Sequence, residues 1–244
     1  MQGKKAIRVS QIVVGLQILF VSSFIGVSLF YSFFNSTSVS EPEQYDLVIN
    51  HGRVIDPETQ LDGVKHIGIR DGSIVAISDQ PLTSDVIIDA AGLVVAPGFI
   101  DVHSHSPTVL GQHFNVLDGV TTQLDLEAGS FPVSFYGEHL RAGAAINYGS
   151  SVGHFAVRIK VLEGIDQPYI FAGEKTVVMG SPAWMQEATP EQIEQMRVLL
   201  HKGLDEGGLG IGVLLDYMTE AVSDAELAML FEVAAAREVP IYVH

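Results

Sequence analysis

Gly98-Phe-Ile-Asp-Val-His-Ser-His105 is an apolar run that closes on two histidines one residue apart. On a β-strand, side chains of like parity share a face, so Asp101, His103 and His105 point the same way. Two imidazoles at the end of a buried strand, aimed at one point, make half of a metal site, because imidazole nitrogen is a preferred ligand of zinc and related divalent ions. The same spacing also occurs on surface strands that bind nothing. Context favours the metal here. Residues 86–97 read as two short strands joined by a Gly turn that lead straight into the motif, and Gly119-Val-Thr-Thr122 follows it.

The elements that must position these histidines fall into two sets. Residues 45–55, 65–70, 73–77, 86–88 and 93–95 read as short strands, broken by turn signals at Asn50-His-Gly52, Asp71-Gly72 and Ala91-Gly92, which is a small β-sandwich pattern. His51 and His66 lie in or beside these strands with no acidic or histidine partner at ligand spacing, so both read as structural. From Gly98 the period changes. Strands are predicted at 98–103, 121–127, 146–153, 209–215 and 240–244. Helices are predicted from the motif to about 118, over 133–144, from the Thr189-Pro-Glu-Gln192 capping box to Gly207-Gly208, and from the Ser223-Asp-Ala-Glu226 box to about 239. Residues 161–188, which hold the single tryptophan Trp184, read as irregular. Strands alternating with helices at this spacing indicate an α/β fold with a parallel sheet and helical crossovers.

On the second of these strands Gln123, Asp125 and Glu127 share one face, and Leu124 and Leu126 the other. Carboxylates facing a closed interior are costly unless a cation or hydrogen bonds compensate them. A divalent ion near His103 and His105 does so for the residue nearest the rim. Glu127 is therefore the candidate ligand and Asp125 the fallback. A pairing of either with an arginine is the plain alternative.

The stretch from residue 45 onward resembles the amidohydrolase superfamily, in which a small β-sandwich leads through a Val-Val-Ala-Pro-Gly-Phe-Ile-Asp-x-His-x-His segment into a metal-dependent (β/α)8 TIM barrel. Within it the resemblance is to the N-acyl-D-amino-acid (D-glutamate) deacylase and D-aminoacylase group. That likeness implies further site residues at the C-terminal ends of barrel strands. His244, ending Ile241-Tyr-Val-His, matches a metal-binding histidine; His154 and Tyr217 match positions beside the substrate. Many relatives bridge two metals with a carboxylated lysine on the fourth strand, but residues 209–215 contain none. The D-aminoacylase branch places a cysteine near the end of its second strand. This chain has no cysteine, and a carboxylate is the natural substitute. The implied chemistry is amide hydrolysis, with a divalent ion, zinc foremost, polarising the carbonyl and acidifying a water. The family's general-base aspartate lies on the eighth strand and a further histidine on the sixth. Five strands bring the chain to His244, so a partial barrel and a catalytically incomplete piece are expected. A cyclic amidase of hydantoinase, dihydroorotase or imidazolonepropionase type is the alternative substrate class, and an inactive membrane-tethered fragment the alternative outside enzymes.

Of the 13 basic residues three (Lys4, Lys5, Arg8) precede Glu41, so the rest of the chain sets the remaining 10 against all 29 acidic ones. Such a surface repels nucleic acid and anionic membrane and removes both as surface partners. Residues 11–34 carry no charge and are mostly apolar. At 1.5 Å per residue they would span roughly 36 Å as a helix, enough for a hydrocarbon core of about 30 Å. The basic head fixes the N-terminus in the cytoplasm, and an uncleaved anchor is favoured over a cleaved signal peptide; either exports the remainder. The expected order is head 1–10, anchor or signal 11–34, linker 35–44, β-sandwich 45–97 and truncated barrel 98–244.

Overall fold

The computed structural model describes residues 45–168 and 180–244. β1 (Leu47–Asp56) alternates buried Val48, Asn50, Gly52 and Val54 with outward residues, as a strand covered on one face must. It pairs antiparallel with β2 (Leu61–Arg70), which pairs antiparallel with β3 (Ser73–Ser78). The β2–β3 turn places Asp71 at φ 51° and Gly72 at φ 72°, the positive-φ pair that a tight hairpin requires. β4 (Ile87–Asp89) and β5 (Val94–Val95) both return parallel to β1, one after the other along its free edge. All five predicted strands are present, but they form one mixed sheet of order β3-β2-β1-β4, with β5 also on β1. Among the described residues these strands make a single layer. Because β4 and β5 share the same central partner, no second layer arises among the described residues, and Ile74, Ile77, Ile87, Ile88 and Val94 stay exposed.

The second sheet consists of β6 (Phe99–Asp101), β7 (Val120–Ser130), β8 (Asn147–Gly153), β9 (Ile211–Val213) and β10 (Ile241–Val243). Its order is β10-β9-β8-β7-β6 and every pairing is parallel. Consecutive strands are neighbours and helices cross between them, so the sheet is a partial (β/α) barrel of five strands. α1 (Val109–Leu117) links β6 to β7, and α2 (His154–Glu163) starts directly from β8. α3 (Pro182–Met185) and α4 (Pro190–Asp205) lead to β9; α5 (Leu215–Met218) and α6 (Asp224–Arg237) lead to β10. Val152, Phe155, Leu200, Ile211, Leu230 and Val233 belong to the core between sheet and helices.

Capping works at α4 as its sequence demands. The Thr189 hydroxyl accepts from the Gln192 N–H, and the Gln192 side chain accepts from the Thr189 N–H at 2.9 Å. At α6 only half of the expected box forms. Ser223 caps the Glu226 N–H at 3.3 Å, but the Glu226 carboxylate turns into the core instead of back to the cap. The helix predicted over 133–144 is two short 3-10 turns, Val133–Phe135 and Glu138–Leu140. Gly137 and Gly143 each cost a helix about 1 kcal/mol. α2 falls where no element was predicted: residues 154–159 are all buried, so its sequence has no polar stripe to give a helical period.

Residues 45–244 form one compact unit, within which residues 97 and 98 lie between the two sheets. Among the described residues no helix is long and apolar enough to cross a membrane. The head, the proposed anchor 11–34 and the linker lie outside the described residues.

Candidate metal centre

β6 ends at Asp101, and the histidine segment beyond it is held against β7. The Asp101 carboxylate accepts the His103 N–H at 3.0 Å, and His103 makes a β-bridge to Asp125. The Ser104 N–H donates to the Leu124 carbonyl at 2.9 Å, while the buried Tyr136 hydroxyl donates to the Ser104 carbonyl at 2.9 Å. With its backbone pinned on both sides of Ser104, the segment presents His103 and His105 together.

Their Nε2 atoms lie 3.1 Å apart, and Glu127 Oε1 lies 3.1 Å from the first and 3.2 Å from the second. Three donors on such a triangle suit one ion: tetrahedral zinc with bonds of about 2.0–2.1 Å separates its ligands by roughly 3.3 Å. Among the described residues this is the group of three whose donor atoms could hold a metal. The surroundings give the same answer. Asp125, wholly buried, accepts from His105 Nδ1 at 3.0 Å through Oδ2 and from the Gly129 N–H at 3.0 Å through Oδ1. That bond puts the proton of neutral His105 on Nδ1 and leaves the Nε2 lone pair facing the triangle. Glu127 Oε2 is buried and makes no hydrogen bond. An ionised carboxylate set among imidazole lone pairs is costly in a dry site, and a cation removes the cost. In the ion-free chain, the hydrogen bond to Asp125 raises the pKa of His105; burial opposes this, and the charges of Asp125 and Glu127 add to it.

No protein-family model matches the chain. It is 32 % identical over 216 residues to the N-acyl-D-glutamate deacylase of Alcaligenes xylosoxydans xylosoxydans, covering 80 % of this chain and 42 % of the relative. The D-aminoacylase of that organism is 28 % identical over 220 residues, covering 78 % and 42 %. The N-acyl-D-glutamate deacylase of Bordetella bronchiseptica, solved with zinc and a phosphonate mimic of the tetrahedral intermediate, superposes with a TM-score of 0.64 at 26 % identity, covering 83 % of this chain and 45 % of that one. A shorter match, 45 % over 60 residues, is to the dihydroorotase of Streptococcus pneumoniae serotype 4 (24 % of this chain, 14 % of the relative). In sequence and in fold the chain is thus similar to the D-aminoacylase and N-acyl-D-glutamate deacylase group of the amidohydrolases. It spans about two-fifths of the length of the curated deacylases it matches.

The remaining predicted residues are placed unequally. His244 follows β10, its N–H bonded to the Val213 carbonyl at 2.9 Å. Its Nδ1 lies 2.7 Å from Glu127 Oε2, so it stands at the other oxygen from His103 and His105. Tyr217, on α5 rather than at a strand end, is half-exposed and stacks on the His244 ring (centroids 4.8 Å apart, planes 21°). Asp125, the fallback ligand, points its carboxylate at the far nitrogen of His105 and stands behind the donors rather than among them. His154 lies away from the triangle of donors, in the core. It is wholly buried and donates through Nε2 to Glu226 at 2.7 Å. β9 (Ile211-Gly212-Val213) carries no lysine, as the sequence requires. Tyr136 and the Arg158–Glu226 pair escape sequence reading: a tyrosine, an arginine and a glutamate at solitary positions carry no spacing signal.

Proposed function

We propose that the chain forms the metal-binding half of a hydrolase that cleaves carbon–nitrogen bonds in linear amides, removing the acyl group of an N-acyl-D-amino acid. The observation that carries this is the triangle of His103 Nε2, His105 Nε2 and Glu127 Oε1 with Asp125 behind it. These three residues would hold the ion; zinc is proposed because imidazole nitrogen and carboxylate oxygen in a set of three suit it, and because the deacylase from Bordetella bronchiseptica was solved with zinc. When bound, a divalent ion supplies Lewis acidity at the amide carbonyl and lowers the pKa of a water. The chain's own residues prepare that chemistry. Two neutral imidazoles and one carboxylate cancel a single charge, leaving a net positive site that attracts a carbonyl oxygen. Asp125 fixes the His105 tautomer. Glu127 faces His103 and His105 with one oxygen and His244 with the other, and the exposed Tyr217 ring walls the site beside His244. The group that takes the water's proton and returns it to the leaving amine is expected from the resemblance on an eighth strand, with a further histidine on a sixth.

A cyclic amide is the second reading, favoured by the dihydroorotase match. The absence of lysine from β9 weighs against it. Zinc per chain, measured by equilibrium dialysis, and turnover of N-acetyl-D-glutamate against dihydroorotate and hydantoin by a protein that also carries the sixth to eighth strands separate these readings. Failure to bind zinc sinks both, and turnover of the cyclic substrates alone selects the second. Zinc binding without any turnover leaves a binding module. We further propose, on sequence alone, that residues 11–34 anchor the chain with its remainder exported, secretion after signal cleavage being the alternative. Release of the protein by a high-salt wash of membranes would favour the latter.

A further inference from the structure

Arg158, on α2, is wholly buried with all three guanidinium nitrogens hydrogen-bonded. Nε donates to the Ala183 carbonyl at 2.6 Å, Nη2 to the Ala221 carbonyl at 3.0 Å and to the Gln186 carbonyl, and Nη1 to the Glu226 carboxylate. Glu226 is equally buried and also takes the His154 Nε2–H. Burial works against the charge of Glu226, yet the hydrogen bonds and charges of His154 and Arg158 hold its pKa below the usual glutamate value. The pair therefore sits in the core as a neutral unit, one positive charge against one negative.

The three carbonyls are informative. Ala183 lies in α3 and Gln186 caps its end; Ala221 follows α5 by three residues. One planar fork thus ties together the two rim segments that bear Trp184 and Tyr217. The rings of these residues meet edge to face, centroids 6.4 Å apart at 82°, and Tyr217 in turn stacks on His244. Lysine, with one nitrogen, cannot bind three carbonyls and a carboxylate in fixed directions. A charge pair needed for stability alone would be replaceable by apolar packing; the fork's reach to two separate loops is what apolar packing would lose.

We propose that Arg158, neutralised by Glu226, is a positioning residue: it sets the Tyr217 ring over His244, and so the approach of His244 Nδ1 to Glu127. Only the last step rests on the metal-centre reading. The ring stack itself can be tested in the metal-free full-length chain with isotope-labelled histidine. The face of Tyr217 displaces the His244 ring-proton signals upfield; His244→Gln identifies those signals among the nine histidines, and Tyr217→Leu marks their undisplaced position. Arg158→Lys keeps the charge opposite Glu226 and is expected to move the His244 signals at least half-way to that position. His51 and His66, in the other sheet, should stay unmoved. His244 signals that remain at their native place in a natively folded Arg158→Lys protein would overturn the proposal. Should that variant not fold, Arg158→Met with Glu226→Gln removes both charges together and is read by the same criterion. Zinc uptake is measured separately on the native chain, so loss of the metal reading leaves the ring-stack result standing, and an unmoved ring stack leaves the metal reading standing.

Discussion

Asp125→Asn is the substitution that most sharply tests the centre. Asp125 serves two donors with two oxygens, Oδ2 taking His105 Nδ1–H and Oδ1 taking the Gly129 N–H, each at 3.0 Å. Asparagine has one oxygen and one NH2 group. If its oxygen stays on Gly129, its NH2 faces His105 Nδ1 and forces the tautomer whose proton sits on Nε2, where a metal must bind. If it turns to His105, the NH2 opposes the Gly129 N–H and the end of β7 is disturbed. Either way zinc affinity should fall about 10–100-fold, or about 1.4–2.7 kcal/mol, the cost of losing an outer partner of a ligating histidine. The pH dependence has a definite sign. Asp125 raises the His105 pKa, so the ion-free native chain holds a proton that zinc must displace, and affinity falls as pH drops below that raised value. In Asp125→Asn the raising partner is weakened and this proton competition begins at lower pH, so the affinity deficit is widest in alkali and narrows in acid. The same shift favours the folded ion-free chain: its contribution is fully present below the unfolded value of about 6.5 and is lost as pH rises through the folded one. Competition with a chromophoric chelator from pH 5.5 to 8.5 reads both effects. Unaltered affinity across that range would refute the outer-partner role. A loss as complete as that of His105→Ala would make Asp125 a ligand instead.

Glu127→Ala should lower zinc per chain in equilibrium dialysis, and an undiminished content would move the ligand role to Asp125. Because Glu226 has a lowered pKa, its contribution to stability is fully present above about pH 4.3 and is lost as pH falls through its folded value; melts of the native chain should weaken steeply in that acid window, and Glu226→Gln, already about 3–5 kcal/mol less stable at neutral pH, should lack that step. Gly129 sits at φ 70°, and a Cβ there would lie 2.5 Å from Ser151 Oγ and 2.6 Å from the Gly153 nitrogen; Gly129→Ala should cost on the order of 1–3 kcal/mol in chemical denaturation and weaken zinc binding with it, whereas unchanged binding would mean that the end of β7 does not set the site.

What could be read from the sequence follows the physics of each element. The parallel strands were legible because each is an apolar run between helical periods, and His103, His105 and Glu127 because strand parity and the cost of an inward carboxylate leave few alternatives. The single-layer arrangement of the first sheet was not legible: β4 and β5 are three and two residues long, too short for alternation to say which partner they take. α2 was hidden by its own burial. Glu226 was misread as half of a capping box, since a residue three after a serine cap has that role locally; only the buried Arg158, 68 residues earlier in the chain, turns it inward. His154 looked like a pocket residue because it follows a strand end, yet Glu226, 72 residues away, claims it.

The second barrel strand carries two carboxylates, and their surroundings give them different parts to play. Parity puts Asp125 and Glu127 on one face about two residues apart, one wholly buried behind the histidines and the other at the rim with 13 % of its side chain exposed. Depth then divides their labour. The deeper group is met by a backbone N–H and a ring N–H, so its charge is compensated within the protein and it can only orient. The shallower group makes no hydrogen bond through Oε2 and faces only histidine nitrogens, His103 and His105 through Oε1 and His244 through Oε2, the setting in which a shared cation compensates carboxylate and imidazoles together.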